Sequence, residues 1–197
     1  MKVFIFLMCF LSTPLLAENL IVGDSVFALT KAVPRYLSRH DVDFEMRAKV
    51  GAKIEEIAVF YKRHVTLVGV PETVIMNGGG NNVIRGNIKN CVRQSSKCDL
   101  VLENTLNAIY SLWQQMHNDG VKKIIYVGVH YLDKPFKNLN PIVDKAMDSI
   151  NIYHKKMNVR FVDTRRTFEK PGLLLFDGIH PNQAGSEEIA KLILNQL

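Results

Sequence analysis

Residues 19–27 read NLIVGDSVF: a short apolar, strand-forming run ends in Gly-Asp-Ser, and a helical pattern opens at or just after the serine. A strand that passes through a glycine turn into a helix is the first half of an α/β unit. Asp24 and Ser25 are also common helix-capping residues, so this run taken alone fixes no chemistry.

The same alternation recurs along the chain. Strand patterns are expected at 19–23, 42–50, 72–77, 122–129 and 159–164, with helical patterns at 25–39, 53–63, 99–118, 141–157 and 183–197. The first, third and fourth strands are nearly continuous apolar runs, as expected where helices cover both faces of a parallel sheet. VDFEMRAKV, residues 42–50, is more polar and suits an edge. These patterns predict a three-layer α/β/α sandwich around a flavodoxin-like, five-stranded parallel sheet of order 2-1-3-4-5. Pro34 lies inside the first helical pattern and must kink it or divide it in two.

Composition sets the frame. The chain has 197 residues, 47% hydrophobic and 22% charged, which suits one domain with a substantial core. Residues 1–17 have the layout of a cleavable secretory signal: Lys2, an apolar run, and a small residue at Ala17 before polar sequence. A retained anchor or a buried N-terminal strand is the alternative. On the signal reading the domain spans 18–197, and the protein is periplasmic or secreted. That domain keeps two cysteines, Cys91 and Cys98 in CVRQSSKC, expected to form a disulfide in an oxidising compartment; two free thiols are the other possibility. Two cysteines without further ligands at suitable spacing cannot complete a zinc shell, so no metal site is expected.

The formal charge is +6, which falls to +5 without Lys2, and the basic residues are scattered. This does not favour nucleic acid as a partner. One segment, 85–97, is locally basic, with Arg85, Lys89, Arg93 and Lys97 and no acid among them. It is suited either to a solvated loop or to attracting an anionic substrate or a membrane surface.

In an open α/β sheet, the loops leaving the carboxyl ends of the strands share one rim, and sites form there. After the first strand comes Gly23-Asp24-Ser25; after the second, Gly51-Ala52; after the third, GGGNN at 78–82; after the fifth, in a long loop, Asp177-Gly178-Ile179-His180. Taken singly, each is ordinary turn or capping sequence. Brought to one rim, they have the parts for acyl transfer. Ser25 would be the nucleophile, its own N–H free at a helix start. His180 would take and return the proton, and Asp177 would hold the other imidazole nitrogen. The Gly51 N–H and the Asn81 amide would complete an oxyanion pocket. Nothing in this chemistry calls for a cofactor.

Gly-Asp-Ser after the first strand, a glycine after the second, Gly-x-Asn after the third and Asp-x-x-His-Pro before the last helix together resemble the SGNH hydrolases, also called the GDSL esterase/lipase superfamily. The blocks span residues 22–185, and GGGNNVIRG at 78–86 is similar to the third block of the bacterial periplasmic thioesterase, arylesterase and lysophospholipase subgroup. The resemblance implies Ser25, Asp177 and His180 as a triad, with Gly51 and Asn81 as oxyanion donors. It implies a small acyl ester, thioester or lysophospholipid as substrate, and allows transient contact with a membrane surface. Two positions depart from the pattern. Val26 stands where leucine is commoner, and Asn82 stands where aspartate is usual, keeping an acceptor but losing the charge.

Asn82, Arg85, His130 and Tyr131 are expected near substrate, His130 because it follows the fourth strand on the same rim. Tyr131, Leu132, Phe136 and the run 173–176 are candidates for an acyl groove, the last run equally for the core. With 83–98, 130–140 and 165–176 read as loops too short for a lid domain, a shallow, open site on a monomer is expected. The rival readings are a carbohydrate O-acetylesterase or an acyltransferase using the same residues, and a secreted binding protein that keeps the fold without turnover.

Overall fold

The computed structural model describes residues 19–197; the expected signal segment lies outside them. Its sheet has five parallel strands in the order β2-β1-β3-β4-β5. These are β1 (Asn19–Gly23), β2 (Glu45–Ala48), β3 (Thr73–Asn77), β4 (Lys123–Val127) and β5 (Arg160–Val162). The register runs Ile21 beside Ile75 and Ile75 beside Ile125 through the three central strands. β3 is buried along its whole length, whereas every residue of β2 is half-buried, as an edge position requires.

Side chains alternate across the sheet, so two cores form. On one face Leu20, Val22, Val74, Met76, Ile124 and Tyr126 pack under α3 (Ile54–Leu67), α5 (Ser96–Asp119) and α6 (Asn140–Lys156). On the other, Ile21, Ile75, Ile125 and Val162 pack under α1 (Ser25–Ala28), α2 (Ala32–Ser38) and α7 (Gln183–Leu194).

The helical pattern at 25–39 is divided as Pro34 demands. The break falls before the proline, where Lys31 adopts a left-handed conformation at φ 53°, and Pro34 sits in the first turn of α2, where no backbone N–H is needed. Asn182 caps α7, its Oδ1 accepting from Gly185 N at 3.0 Å.

The segment 83–98, expected to be a loop, is instead largely helical. Helix α4 (Gly80–Val92) runs through it, interrupted at Arg85 and at Gly86, whose φ is +95°. Its apolar residues Val83, Ile84, Ile88 and Cys91 fall at helical spacing, but the glycine in its middle and the polar residues around them read as a loop. Tertiary contact supplies what propensity lacks: Val83, Ile84 and Ile88 pack beside Leu132, Leu139 and Ile142. Cys91 and Cys98 form a disulfide that joins the end of α4 to the first turn of α5.

Candidate active site

The carboxyl ends of the strands bring the separate sequence blocks to one rim. At the end of β1, Asp24 is buried and fully engaged. Its Oδ1 accepts from Val26 N at 3.0 Å and from Asn77 Nδ2 at 2.6 Å, and its Oδ2 accepts from Asn81 Nδ2 at 3.2 Å. Asp24 N donates back to Asn77 Oδ1 at 3.1 Å. Burial raises the Asp24 carboxyl above the usual range, while these donors and the nearby His180 pull the other way. Gly23 is required by close approach, since a Cβ there would fall 1.9 Å from Asn77 Oδ1. Asn77 was not singled out from the sequence; its signal is a polar residue ending an otherwise apolar strand.

This network holds Ser25 in place. Its residue is only 6% exposed, and among the described residues neither its N–H nor its Oγ has a hydrogen-bond partner. The helix it opens is a single turn, so a helix macrodipole adds little, and the free N–H is what remains for an anion.

The loop before α7 is braced as tightly. Asp177 Oδ1 accepts from the N–H groups of Ile179 and His180, both at 2.9 Å, and Oδ2 meets His180 Nδ1 at 2.6 Å. Burial alone would raise the Asp177 carboxyl, but the bonds from His180 and Ile179 outweigh it and hold the group below the usual carboxylate range. Gly178 takes φ +70° against the backbone of residues 133 and 134, where a Cβ would meet Lys134 O. His180 Nε2 has no protein partner among the described residues.

His180 and Ser25 line the same cavity, although no hydrogen bond joins them. Catalytic contacts of this kind are commonly long before substrate binds. Asn81 lines the cavity too, with its Nδ2 between Asp24 Oδ2 and Ala52 O, 3.1 Å from the latter. Both bonds are long, and both amide hydrogens point at acceptors that an oxyanion would have to share. Gly51 lies beside it at φ +76°, its carbonyl gripped by Arg85 Nη1 at 2.8 Å and its N–H without an acceptor among the described residues.

The residues expected to meet substrate fall into two groups. His130 lines the cavity but is buried, stacked on Phe168 with ring centroids 4.2 Å apart, and its Nε2 donates to Ile179 O at 2.8 Å. Burial pushes its pKa down to about 4, so it is a neutral brace for the His180 loop. Asn82, Arg85 and Tyr131 do not line the cavity, which corrects the expectation for them; nor does Gly51, which lies one residue before the Ala52 carbonyl that holds Asn81. Tyr131 donates to Asp144 Oδ1 at 2.7 Å, and Arg85 holds Gly51. Asn82 Oδ1 accepts from Ile54 N at 3.0 Å, and its Nδ2 donates to Glu55 at 3.0 and 3.1 Å. An aspartate at 82 would face the Glu55 carboxylate, so the amide matches its neighbour. The run 173–176 is split, with Leu173 and Leu174 against the core and Phe176 fully exposed.

Nor is the site shallow. The cavity runs inward from Ser25 between α4, α5 and α6 to the buried side chains of Ile109, Val143 and Met147. Of the expected groove residues, Leu132 lines it and Phe136 does not.

Comparison with known proteins agrees with this architecture. An acetylxylan esterase from Geobacillus stearothermophilus superposes with a TM-score of 0.70 at 17% identity, covering 90% of this chain and 92% of that one. A GDSL-like lipase from Bacteroides thetaiotaomicron gives 0.69 at 17% identity, covering 91% and 86%. A lipolytic G-D-S-L family protein from Veillonella parvula gives 0.73 at 13%, covering 90% and 96%. No curated protein sequence matches the chain. The family model for GDSL-like lipase/acylhydrolase matches residues 20–193, almost the whole described chain, and the protein belongs to that family.

Proposed function

We propose that the protein is an exported serine hydrolase that cleaves carboxylic esters or thioesters through an acyl-enzyme on Ser25. The observation that carries this reading is the Asp177–His180 pair, 2.6 Å apart, opening with Ser25 onto a single cavity at the carboxyl end of the sheet.

Ser25 Oγ attacks the substrate carbonyl as His180 Nε2 takes its proton. Asp177 keeps Nδ1–H in place and stabilises the imidazolium. The Ser25 N–H, the Gly51 N–H and the Asn81 amide receive the oxyanion, each contributing ~3 kcal/mol to the transition state. Collapse breaks the bond to the leaving alcohol or thiol, which departs with the proton from His180. Water, activated by the same imidazole, then releases the acid and regenerates Ser25.

Export is supported by the layout of residues 1–17 and by the Cys91–Cys98 disulfide, a bond that persists in oxidising compartments. Likeness to an acetylxylan esterase raises carbohydrate acetate as a second substrate class; an apolar cavity behind Ser25 fits a hydrocarbon acyl group better than a sugar.

The test is a panel of nitrophenyl esters assayed with purified mature protein beside Ser25→Ala and His180→Ala. Each substitution is expected to lower kcat by at least ~10⁴-fold while the fold is retained. A fluorophosphonate should label the native protein and not Ser25→Ala; equal labelling of both would sink the assignment.

A further inference from the structure

The cavity behind Ser25 extends well beyond what the chemical step needs. One wall is a stripe of α5, Leu102, Thr105, Leu106 and Ile109, at the i, i+3, i+4, i+7 spacing of a single helix face. The opposite wall is the face of α6 that carries Ile142, Ala146 and Met147, and the floor is the end of β4 with Val129 beyond it. The two hydroxyls on this surface are occupied. Thr105 Oγ1 donates to Val101 O at 2.7 Å, and Tyr126 OH donates to Gly78 O at 2.8 Å. Among the described residues, the other polar side chains that line the cavity, Asp24, Ser25, Asn77, Asn81, His130 and His180, belong to the rim, and the walls from α5 and α6 add none besides Thr105.

Protein interiors pack to the density of organic crystals, and unfilled apolar space costs stability. An apolar cavity without polar partners holds no ordered water and accepts hydrocarbon. Here the void is continuous with a nucleophile.

We infer that the cavity between α5 and α6 is the binding site for an unbranched aliphatic acyl chain, which makes the protein selective for esters of medium-chain fatty acids over acetates. The inference rests on the acyl-enzyme role of Ser25 set out above. Direction follows from the two catalytic residues. The side chain of His180 is 25% exposed and stands at the mouth, whereas Ser25 is 6% exposed and stands further in. The leaving group must face His180 to receive its proton, so it departs toward solvent. The acyl group then points the other way, past residues 79 and 80, where a Cβ on Gly79 would press on Thr105 and Ile109 at 3.1 and 3.2 Å. Those glycines keep the entrance to the hydrocarbon pocket open.

Nitrophenyl acetate, butyrate, hexanoate and octanoate, together with methyl hexanoate against hexyl acetate, test this with the mature protein. Each buried methylene should raise kcat/KM roughly fourfold, or roughly 250-fold over the four methylenes from acetate to hexanoate, and the gain should follow the acyl side. Ala146→Phe fills the cavity from α6 and should lower the hexanoate-to-acetate ratio at least tenfold. Ala146→Leu, a smaller plug, should lower it less and serves if the larger residue prevents folding. Ser25-dependent turnover that is flat or falling with acyl length, or that follows the alcohol side, overturns the inference and leaves the role of Ser25 standing. If no ester is turned over in a Ser25-dependent way, the hydrolase reading fails instead. Titration calorimetry of decanoic acid into Ser25→Ala then decides the cavity: saturable binding weakened by Ala146→Phe supports it, and no binding overturns it.

Discussion

The two faces of the sheet are built from equally apolar sequence but packed differently. Under α2 and α7, Phe27, Leu37, Ile189 and Ile193 close on Ile21, Ile75 and Ile125, and all are fully buried. Under α5 and α6 the packing is complete near Trp113 and Met116 but opens into a cavity toward the carboxyl end of β4. The filled face fixes the strands, and through them the rim that carries Asp24, Ser25 and Asn77. The open face leaves space where a substrate has to go. One sheet therefore provides rigidity on one side and capacity on the other, and the candidate site lies where they meet.

Truncation should separate the faces most clearly. Ile189→Ala removes a fully buried side chain from the filled face and should cost 2–5 kcal/mol. Leu106→Ala removes a half-buried side chain that already borders a void, and with fewer contacts to lose it should cost ~1 kcal/mol. Urea denaturation of both variants measures the difference. Equal costs would mean that the cavity collapses around its lining and that the two faces are energetically alike.

A smaller effect, expected to be pH-dependent, comes from His130 at the seam between the faces. Its folded pKa is about 4, below the ordinary histidine value of 6.5, because burial disfavours the charged ring. Between those values the unfolded chain binds the proton more readily than the folded one, so stability is complete above pH 6.5 and declines as pH falls toward 4. The bound on this loss is roughly 3 kcal/mol. Asp177, whose carboxyl is held low, contributes a loss of the same sign at more acidic pH. His130→Gln keeps a donor for Ile179 O without a titrating ring, so its unfolding free energy should be flatter than the native protein's between pH 6.5 and 4. Parallel curves would assign the loss to other groups.

How much of this was legible in the sequence depended on whether a signal was local. β1 and β3 were readable because a strand buried on both faces leaves an unbroken apolar run, and the break near Pro34 was readable because proline acts on its own neighbours. Helix α4 was hidden by Gly86, which interrupts it, and by the polar residues that surround its short stripe of Val83, Ile84, Ile88 and Cys91. The cavity was hidden for a different reason. Leu102, Leu106, Ile109 and Met147 are what any core helix presents, and only the spacing of α5 from α6 turns a core stripe into a lining. At the rim, Ser25, Asp177 and His180 stood out as residue types in turns. Asn77, which locks Asp24, looked like the end of a strand.

Asn82 offers the finest comparison, between two carboxylate arrangements at the edge of the site. Its amide links the start of α3 to the first turn of α4, which carries Asn81, donating to Glu55, 27 residues away in sequence, while its Oδ1 accepts from Ile54 N. A sequence pattern records the asparagine and not the glutamate that makes it necessary. Asn82→Asp should place two carboxylates in contact, loosen the tie and disturb Asn81, lowering kcat/KM by a few-fold. Adding Glu55→Gln restores an amide opposite the new carboxylate, so the double variant should recover most of that loss. Like charges in contact couple non-additively, and a double-mutant cycle on kcat/KM measures the coupling directly. Strictly additive effects would show that Asn82 and Glu55 act separately, and that the amide at 82 is not matched to its neighbour.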